Sequence, residues 1–311
     1  MEAQVVKKKS YLAEYWAYNK KEAKKNRVLC LFTLPYFVLF TTFLVAPVLI
    51  AIYLGFTYFN IIEPPQYIGW QNYIAMMTAD DIFIIALKNT LLFALITGPV
   101  GYLLCLGFAW MVNELTPKVR AFMTLIFYAP VLANVWIIWK IIFASDQYGL
   151  INGFLIRWGF ITAPIQWFEN TNYMPSIVIL VLLWSSLGTG FLTLIAGLQN
   201  VDRSLYEAAA VDGISNRWQE LWYVTLPYIR PHLLLAAILS ITSSFGIGGQ
   251  ITALIGYPSQ DYILQTIILH VEDFATTRFE MGYACAMATL LFILMVGSNK
   301  LAQKFLMKVG R

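Results

Sequence analysis

The sequence predicts an all-α membrane protein with six transmembrane helices, and three observations predict it. The 311 residues are 59% hydrophobic and only 12% charged, with a mean hydropathy of +0.66, whereas a soluble domain carries about 25% charged residues. Six apolar runs of about 20 residues or more follow one another, each long enough for a hydrocarbon core of roughly 30 Å. The basic residues alternate between the connecting segments. Of 21 Lys and Arg, 17 fall at 1–28, 114–120, 199–231 and 300–311, and only Lys88, Lys140, Arg157 and Arg278 fall elsewhere. By the positive-inside rule, both termini and the 199–231 segment are expected to be cytoplasmic.

Taken in order, residues 1–28 form a basic extension, expected to be cytoplasmic, and 29–311 the membrane domain. Within the extension, Tyr11, Leu12, Tyr15 and Trp16 make a short amphipathic stretch that either lies on an anionic leaflet or belongs to a loose basic tail. No small-residue cleavage site follows the next apolar run, so a signal peptide is not expected. The spans are expected near 29–57, 88–113, 119–143, 174–198, 232–256 and 281–303. The first carries Pro35 and Pro47 and should tilt or kink. The second carries Gly98-Pro99 and Gly101, a further bend. The fifth is the least regular, with Ser243, Ser244, Gly246, Gly248 and Gly249 before Gln250; broken backbone at membrane depth is tolerated only where it faces protein or a water-filled cavity. The loops 58–87, 144–173 and 257–280 alternate with the basic ones, and 144–173 has apolar pieces that suit short helices. Cys30, Cys105 and Cys285 lie in or beside apolar runs with no CxxC or metal spacing and read as packing residues.

Residues 197–231 are the longest polar interruption of the second half. Ser204 and Glu207 have the spacing of a capping box. Ala208, Ala209 and Ala210 continue a helix with little side-chain bulk, and Gly213 suits the left-handed residue that ends one. Ser215 or Asn216 can cap a second helix through Trp218, Leu221 and Trp222, which Pro227 should stop. The result is a helix–glycine–helix elbow.

This elbow resembles the EAA loop of ABC importer permeases, carried by Glu207-Ala208-Ala209, Asp212-Gly213 and Leu226-Pro227. The flanks Gly197-Leu198-Gln199 and Ile229-Arg230-Pro231 are similar to the carbohydrate-uptake branch, that of the maltose importers. The resemblance runs from about residue 29 to 307, through Asn89-Thr90, Tyr128-Ala129-Pro130, Trp139, Gly149-Leu150-Ile151-Asn152, Trp184 and Gly282-Tyr283-Ala284. One departure stands out. The family often has a Thr-Gly-Gly-Pro turn after the fifth span, where this chain reads Ile255-Gly256-Tyr257-Pro258-Ser259. The resemblance implies the type I importer permease fold, with the elbow as the coupling helix that docks on a cytoplasmic ATPase through Glu207, Ala208, Ala209, Asp212, Gly213, Leu226 and Pro227. It implies a second homologous permease, an ABC ATPase dimer that holds the ATP and Mg, an extracytoplasmic solute-binding protein, and a place in a bacterial or archaeal cytoplasmic membrane.

The chemistry that is missing agrees with that division of labour. The chain has no Gly-Lys pair and hence no P-loop, so no cofactor is expected on it. No carboxylate lies within the six expected spans, which counts against the rival reading, an ion- or proton-coupled secondary transporter acting alone. No catalytic constellation points to a membrane enzyme, and the net charge of +4 does not mark a nucleic-acid binder. His232 and His270 read as isolated, with no metal-ligand spacing. Sugars need hydroxyl and amide partners and flat aromatic faces. Candidates for a substrate path are Tyr128, Asn134, Trp184, Ser185, Thr189, Ser243, Ser244 and Gln250. Serines and threonines in membrane helices also join helix to helix, and aromatic residues near span ends also anchor at the interface.

Overall fold

A computed structural model describes residues 25–132 and 136–307. The basic extension before residue 25, with Tyr11 to Trp16, lies outside the described residues, as does Asn134. The chain divides into two compact units, Met1–Tyr53 and Leu54–Arg311. In the first, α1 (Arg27–Phe40) passes through a π-turn (Thr41–Val45) into α2 (Ala46–Leu54). Pro35 is accommodated inside α1. The π-turn has a cause in the sequence: Pro47 lacks an N–H and its ring crowds the carbonyl one turn back. Widening that turn, with the Ala46 N–H bonded to Thr41 O, relieves the crowding.

In the second unit, β1 (Thr57–Tyr58) pairs antiparallel with β2 (Gln66–Tyr67), and α3 (Gln71–Thr78) follows. The axis of the unit is α4 (Asp81–Asn113), 33 residues and about 50 Å long. It starts two turns before the expected boundary at 88. The Asp80 carboxylate accepts the Phe83 N–H at 2.8 Å, so a cap, and not the apolar run, sets the start. Next come α5 (Pro117–Leu132), α6 (Trp136–Ile142) and α7 (Leu150–Arg157), the short helix expected within 144–173. The fourth expected span is two helices, α8 (Met174–Ser185) and α9 (Thr189–Gln199).

The elbow holds α10 (Arg203–Val211), α11 (Arg217–Glu220), a π-turn (Leu221–Thr225) and α12 (Leu226–Tyr228). Beyond it lie α13 (Arg230–Phe245), α14 (Gly249–Ile255), α15 (Ile267–Thr276) and α16 (Met281–Leu306). Helix α15 occupies a segment read from sequence as a loop. Among the described residues, four helical stretches are long and apolar enough to cross a membrane: Leu31–Leu54, Asp81–Asn113, Met174–Gln199 and Met281–Leu306. A fifth arises if Arg217–Tyr228 and Arg230–Phe245, bent by 82°, count as one.

Three buried clusters are arranged along α4. Its later half packs Cys105, Ala109 and Val112 against Phe191 and Leu194 of α9 and Leu233 of α13. Phe93 packs with Val178 and Val181 of α8 and Ile251 of α14. Phe83 and Ala86 pack with Ile267, Phe274 and Met287.

The first turn of α4 also corrects the reading of His270 as isolated. Its Nε2 lies 2.8 Å from Asp80 Oδ2, and the Tyr283 hydroxyl donates to the same oxygen at 2.8 Å. Asp80 and His270 are 190 residues apart, so no local spacing could reveal the pair. Burial pushes the Asp80 carboxyl up, but hydrogen bonds from His270, the Phe83 N–H and Tyr283 outweigh it and hold its pKa below the usual carboxylate value.

Candidate functional site

Two of the expected spans break within their length, and both breaks open onto one cavity that α4 also lines. Helix α8 ends at Ser185 and α9 begins at Thr189; α13 ends at Phe245 and α14 begins at Gly249. The cavity has a volume of about 540 Å³ and is bounded on the α4 side by Thr97, Tyr102 and Cys105. Close approach there depends on Gly101, where an added Cβ would sit 2.7 Å from Ser186 Oγ. The Ser240 hydroxyl donates to Gly98 O at 2.9 Å, joining α13 to the Gly98-Pro99 step.

Five of the eight residues singled out as path candidates line this one cavity: Ser185, Thr189, Ser243, Ser244 and Gln250. Ser186 and Ser240 join them. Tyr128 and Trp184 are half-buried and outside the lining; the Trp184 ring packs edge-on against Trp139 at 5.3 Å. The sequence reading missed Thr97, Tyr102 and Trp136. The one available signal was the Gly98-Pro99 bend, which marks the level of α4 where Thr97 and Tyr102 lie.

The elbow is the second feature. Helix α10 is capped by Asp202, which accepts the Ser204 N–H at 3.0 Å, not by the Ser204–Glu207 box. The Asp202 carboxyl is held below its usual value by that backbone N–H and by the Ser204 side chain. The helix closes in a Schellman motif, with Gly213 N–H bonded to Ala210 O and Ile214 N–H to Ala209 O, and Gly213 at φ +90°. Asn216 caps α11 through the Trp218 N–H at 3.0 Å. Pro227 does not stop this second helix. A π-turn accommodates the proline, as at Pro47, and the chain breaks only at Ile229.

The nine-residue α10 and the four-residue α11 are each marginal alone, and tertiary ties hold both. The Tyr206 hydroxyl lies 2.9 Å from Thr225 Oγ1. Arg217 reaches Glu220 at 2.8 Å and Glu114, beyond the end of α4, at 3.2 Å. Trp218 packs on Trp110 with ring centroids 4.9 Å apart. Glu207, Ala208, Asp212 and Gly213 are exposed, Ala209 and Leu226 are buried in this chain, and Pro227 is half-buried. Val211 is 88% exposed at the tip.

Residues 101–303 match the family of binding-protein-dependent transport system inner membrane components. The chain belongs to that family. Its members are transporter permeases, not enzymes, and this one is a multi-pass membrane protein. It is 30% identical to the probable ABC transporter permease YesP of Bacillus subtilis, covering 85% of each chain. It is 29% identical to the sulfoquinovosyl glycerol transport permease SmoG of Agrobacterium fabrum, covering 84% of each. It is 28% identical to the lactose transport permease LacF of Rhizobium radiobacter, covering 86% of this chain and 88% of that one. The fold is shared with a chain of a bacterial alginate ABC transporter solved with an alginate pentasaccharide-bound periplasmic protein, at a TM-score of 0.76 and 22% identity over 94% of this chain and 98% of that one. The importer permease fold expected from the sequence is therefore borne out.

Proposed function

We propose that this permease forms half of the path by which a sugar or oligosaccharide crosses a bacterial or archaeal cytoplasmic membrane, driven by a separate ATPase. The observation that carries this reading is the meeting of five sequence-selected polar residues in one cavity at two helix breaks. The transport names of relatives, lactose among them, supply the solute class. In this reading α5–α6 and α13–α14 complete a set of six spans, with both termini and the elbow in the cytoplasm. A second permease closes the cavity, and an extracytoplasmic binding protein delivers the solute.

The elbow docks on an ATPase dimer that holds the ATP and Mg. Glu207, Ala208, Asp212 and Gly213 form the exposed face, with Val211 at its tip. Ala209, Leu226 and Pro227 support that face from below. ATP closes the dimer, the elbow moves with it, and the spans rock between two states. Swinging such an equilibrium from 1:99 to 99:1 takes about 5.5 kcal/mol of differential binding.

Deleting residues 204–222 tests the docking: the spans should still insert, and the ATPase should no longer co-purify. An ATPase that binds the truncated complex with unchanged affinity would refute it. Reporter fusions at Lys20 and Lys308 test the topology. Uptake by this chain alone, responding to a pH gradient, would favour the secondary carrier instead.

A further inference from the structure

The cavity between the two breaks has a donor and acceptor pattern that selects among solutes. Eight side-chain hydroxyls line it, and six of them spend their protons on backbone carbonyls, Tyr102 and Thr189 being the other two. Thr97 donates to Phe93 O, Ser185 to Val181 O, Ser186 to Leu183 O, Ser240 to Gly98 O, Ser243 to Ser240 O and Ser244 to Ile241 O, at 2.6–2.9 Å. A hydroxyl has one proton and two lone pairs, so what these six offer a solute is acceptor oxygen, while Tyr102 and Thr189 have no acceptor among the described residues and keep a proton to donate. Gln250 reverses the pattern. Its Oε1 is occupied by the Gly248 N–H at 3.2 Å, and its amide nitrogen has no partner among the described residues.

No charged side chain is among the described lining residues. The helix ends do not make up the deficit. Each break sets one C-terminus beside one N-terminus, and end charges of about half a unit with opposite signs largely cancel. A carboxylate or sulfonate meets mostly acceptor oxygens there and finds no cation to compensate its lost hydration. A neutral polyol brings hydroxyls that both donate to these oxygens and accept from Tyr102, Thr189 and Gln250.

We infer that this half of the path passes uncharged, hydroxyl-rich solutes and rejects anions, with Gln250 as the side chain that hydrogen-bonds a solute oxygen at the α13–α14 break. The inference rests on the reading of the cavity as a transport path, and the test separates the two. Ser243→Cys and, at the other break, Thr189→Cys are each placed in a chain whose native cysteines are alanine, in membranes holding the assembled importer. Each thiol is reacted with a neutral and an anionic methanethiosulfonate, and the rate ratio is divided by that of a free thiol in solution.

The anionic reagent should be slower on the order of tenfold, the size of effect that local potentials of a few kT produce. A normalised ratio near one at both sites overturns the charge selection and leaves the path reading standing. No reaction of either reagent at either site means that water does not reach the cavity, and the path reading falls with the selection. Gln250→Arg should then bring the normalised ratio at Ser243→Cys to one or above. Failure to do so would show that the lining does not set the field.

Discussion

The elbow and the Asp80 rim sit at opposite ends of α4 and are held by opposite means. In the elbow, the Asp202 and Asn216 caps each reach two residues ahead, and the Schellman bonds at Gly213 close within one turn. At the rim, Asp80 meets His270 and Tyr283 across 190 and 203 residues, and Asn89 donates to Ile263 O and Gln265 O across 174 and 176. Local bonds re-form wherever the chain is free to curl. Long-range bonds exist only when the whole unit is assembled. The turns of the elbow are therefore set within its own segment, and the rim fixes α4, α15 and α16 against one another.

Asp80→Ala is the largest break in that comparison. It removes at once the acceptor for His270, for the Tyr283 hydroxyl and for the Phe83 N–H. Stranding a buried partner in this way costs roughly 3–5 kcal/mol, read as a lower Tm of the purified complex by intrinsic fluorescence. Asp80→Asn keeps one acceptor and should fall between the two. The sign of the pH effect is fixed by the lowered carboxyl. Its contribution is fully present above the ordinary Asp value of about 3.9 and is lost as pH falls through the lower folded value. Asp80→Asn should flatten that acid limb. A Tm unchanged by Asp80→Ala would mean that the rim is not a staple.

Gly101→Val comes next, because it fills the approach between α4 and Ser186. Overpacking of this kind costs about 1–3 kcal/mol, and the same side chain intrudes on the cavity. Gly107, on the same helix, faces open space and serves as the control. Gly107→Val should leave both Tm and uptake in proteoliposomes near wild type. Equal losses at the two positions would show that helix propensity, not the close approach, governs α4.

The same contrast explains what could be read from sequence. Hydropathy and basic-residue alternation indicate a multi-pass helical protein, and the Glu207-Ala208-Ala209, Asp212-Gly213 and Leu226-Pro227 spacing marks the elbow, because both codes are local. The breaks at 186–188 and 246–248 were only half legible. Gly246 and Gly248 announce the second, but Ser186-Leu187-Gly188 sits inside an apolar run that hydropathy cannot divide. The caps at Asp80 and Asp202 were missed for a related reason. Asp81 and Lys88 hide the first two turns of α4 from an apolar scan, and Ser204 offered a more familiar box than Asp202. That Pro227 would be carried by a π-turn was not readable from proline alone. The pairing of Asp80 with His270 is a property of the assembled unit and left no mark on either neighbourhood.

Gly213→Val tests whether the local shape of the elbow matters to coupling. The position has φ +90° and no atom within 4 Å of an added Cβ, so the cost is backbone strain alone, about 1–2 kcal/mol. Protein levels should stay near normal while solute-stimulated ATP hydrolysis of the complete importer is lost. Gly213→Asn, which tolerates the left-handed region, should retain most of it. Full coupling in the Val variant would mean that the loop re-forms around the change and that its angle is not what transmits motion.

The smallest effect sharpens the comparison most. Asn216→Ala removes the cap of α11 and should cost about 0.5–2 kcal/mol. The loss should stay where it is made. Helix α11 remains tied by the Arg217–Glu114 contact and by Trp218 on Trp110, and the exposed ion pair among these is worth only about 0–1 kcal/mol. Amide exchange should therefore quicken at residues 217–220 and remain unchanged in α4 and in the Asp80 rim. Asp202→Ala should do the same for the first turn of α10. Acidification should mimic it in the wild-type chain only below the ordinary carboxylate range, because the Ser204 N–H holds that carboxyl ionised to lower pH. Exchange that quickens along α4 in either variant would show that the caps belong to the global fold after all. The distinction between a locally coded elbow and a globally coded rim would then have to be given up.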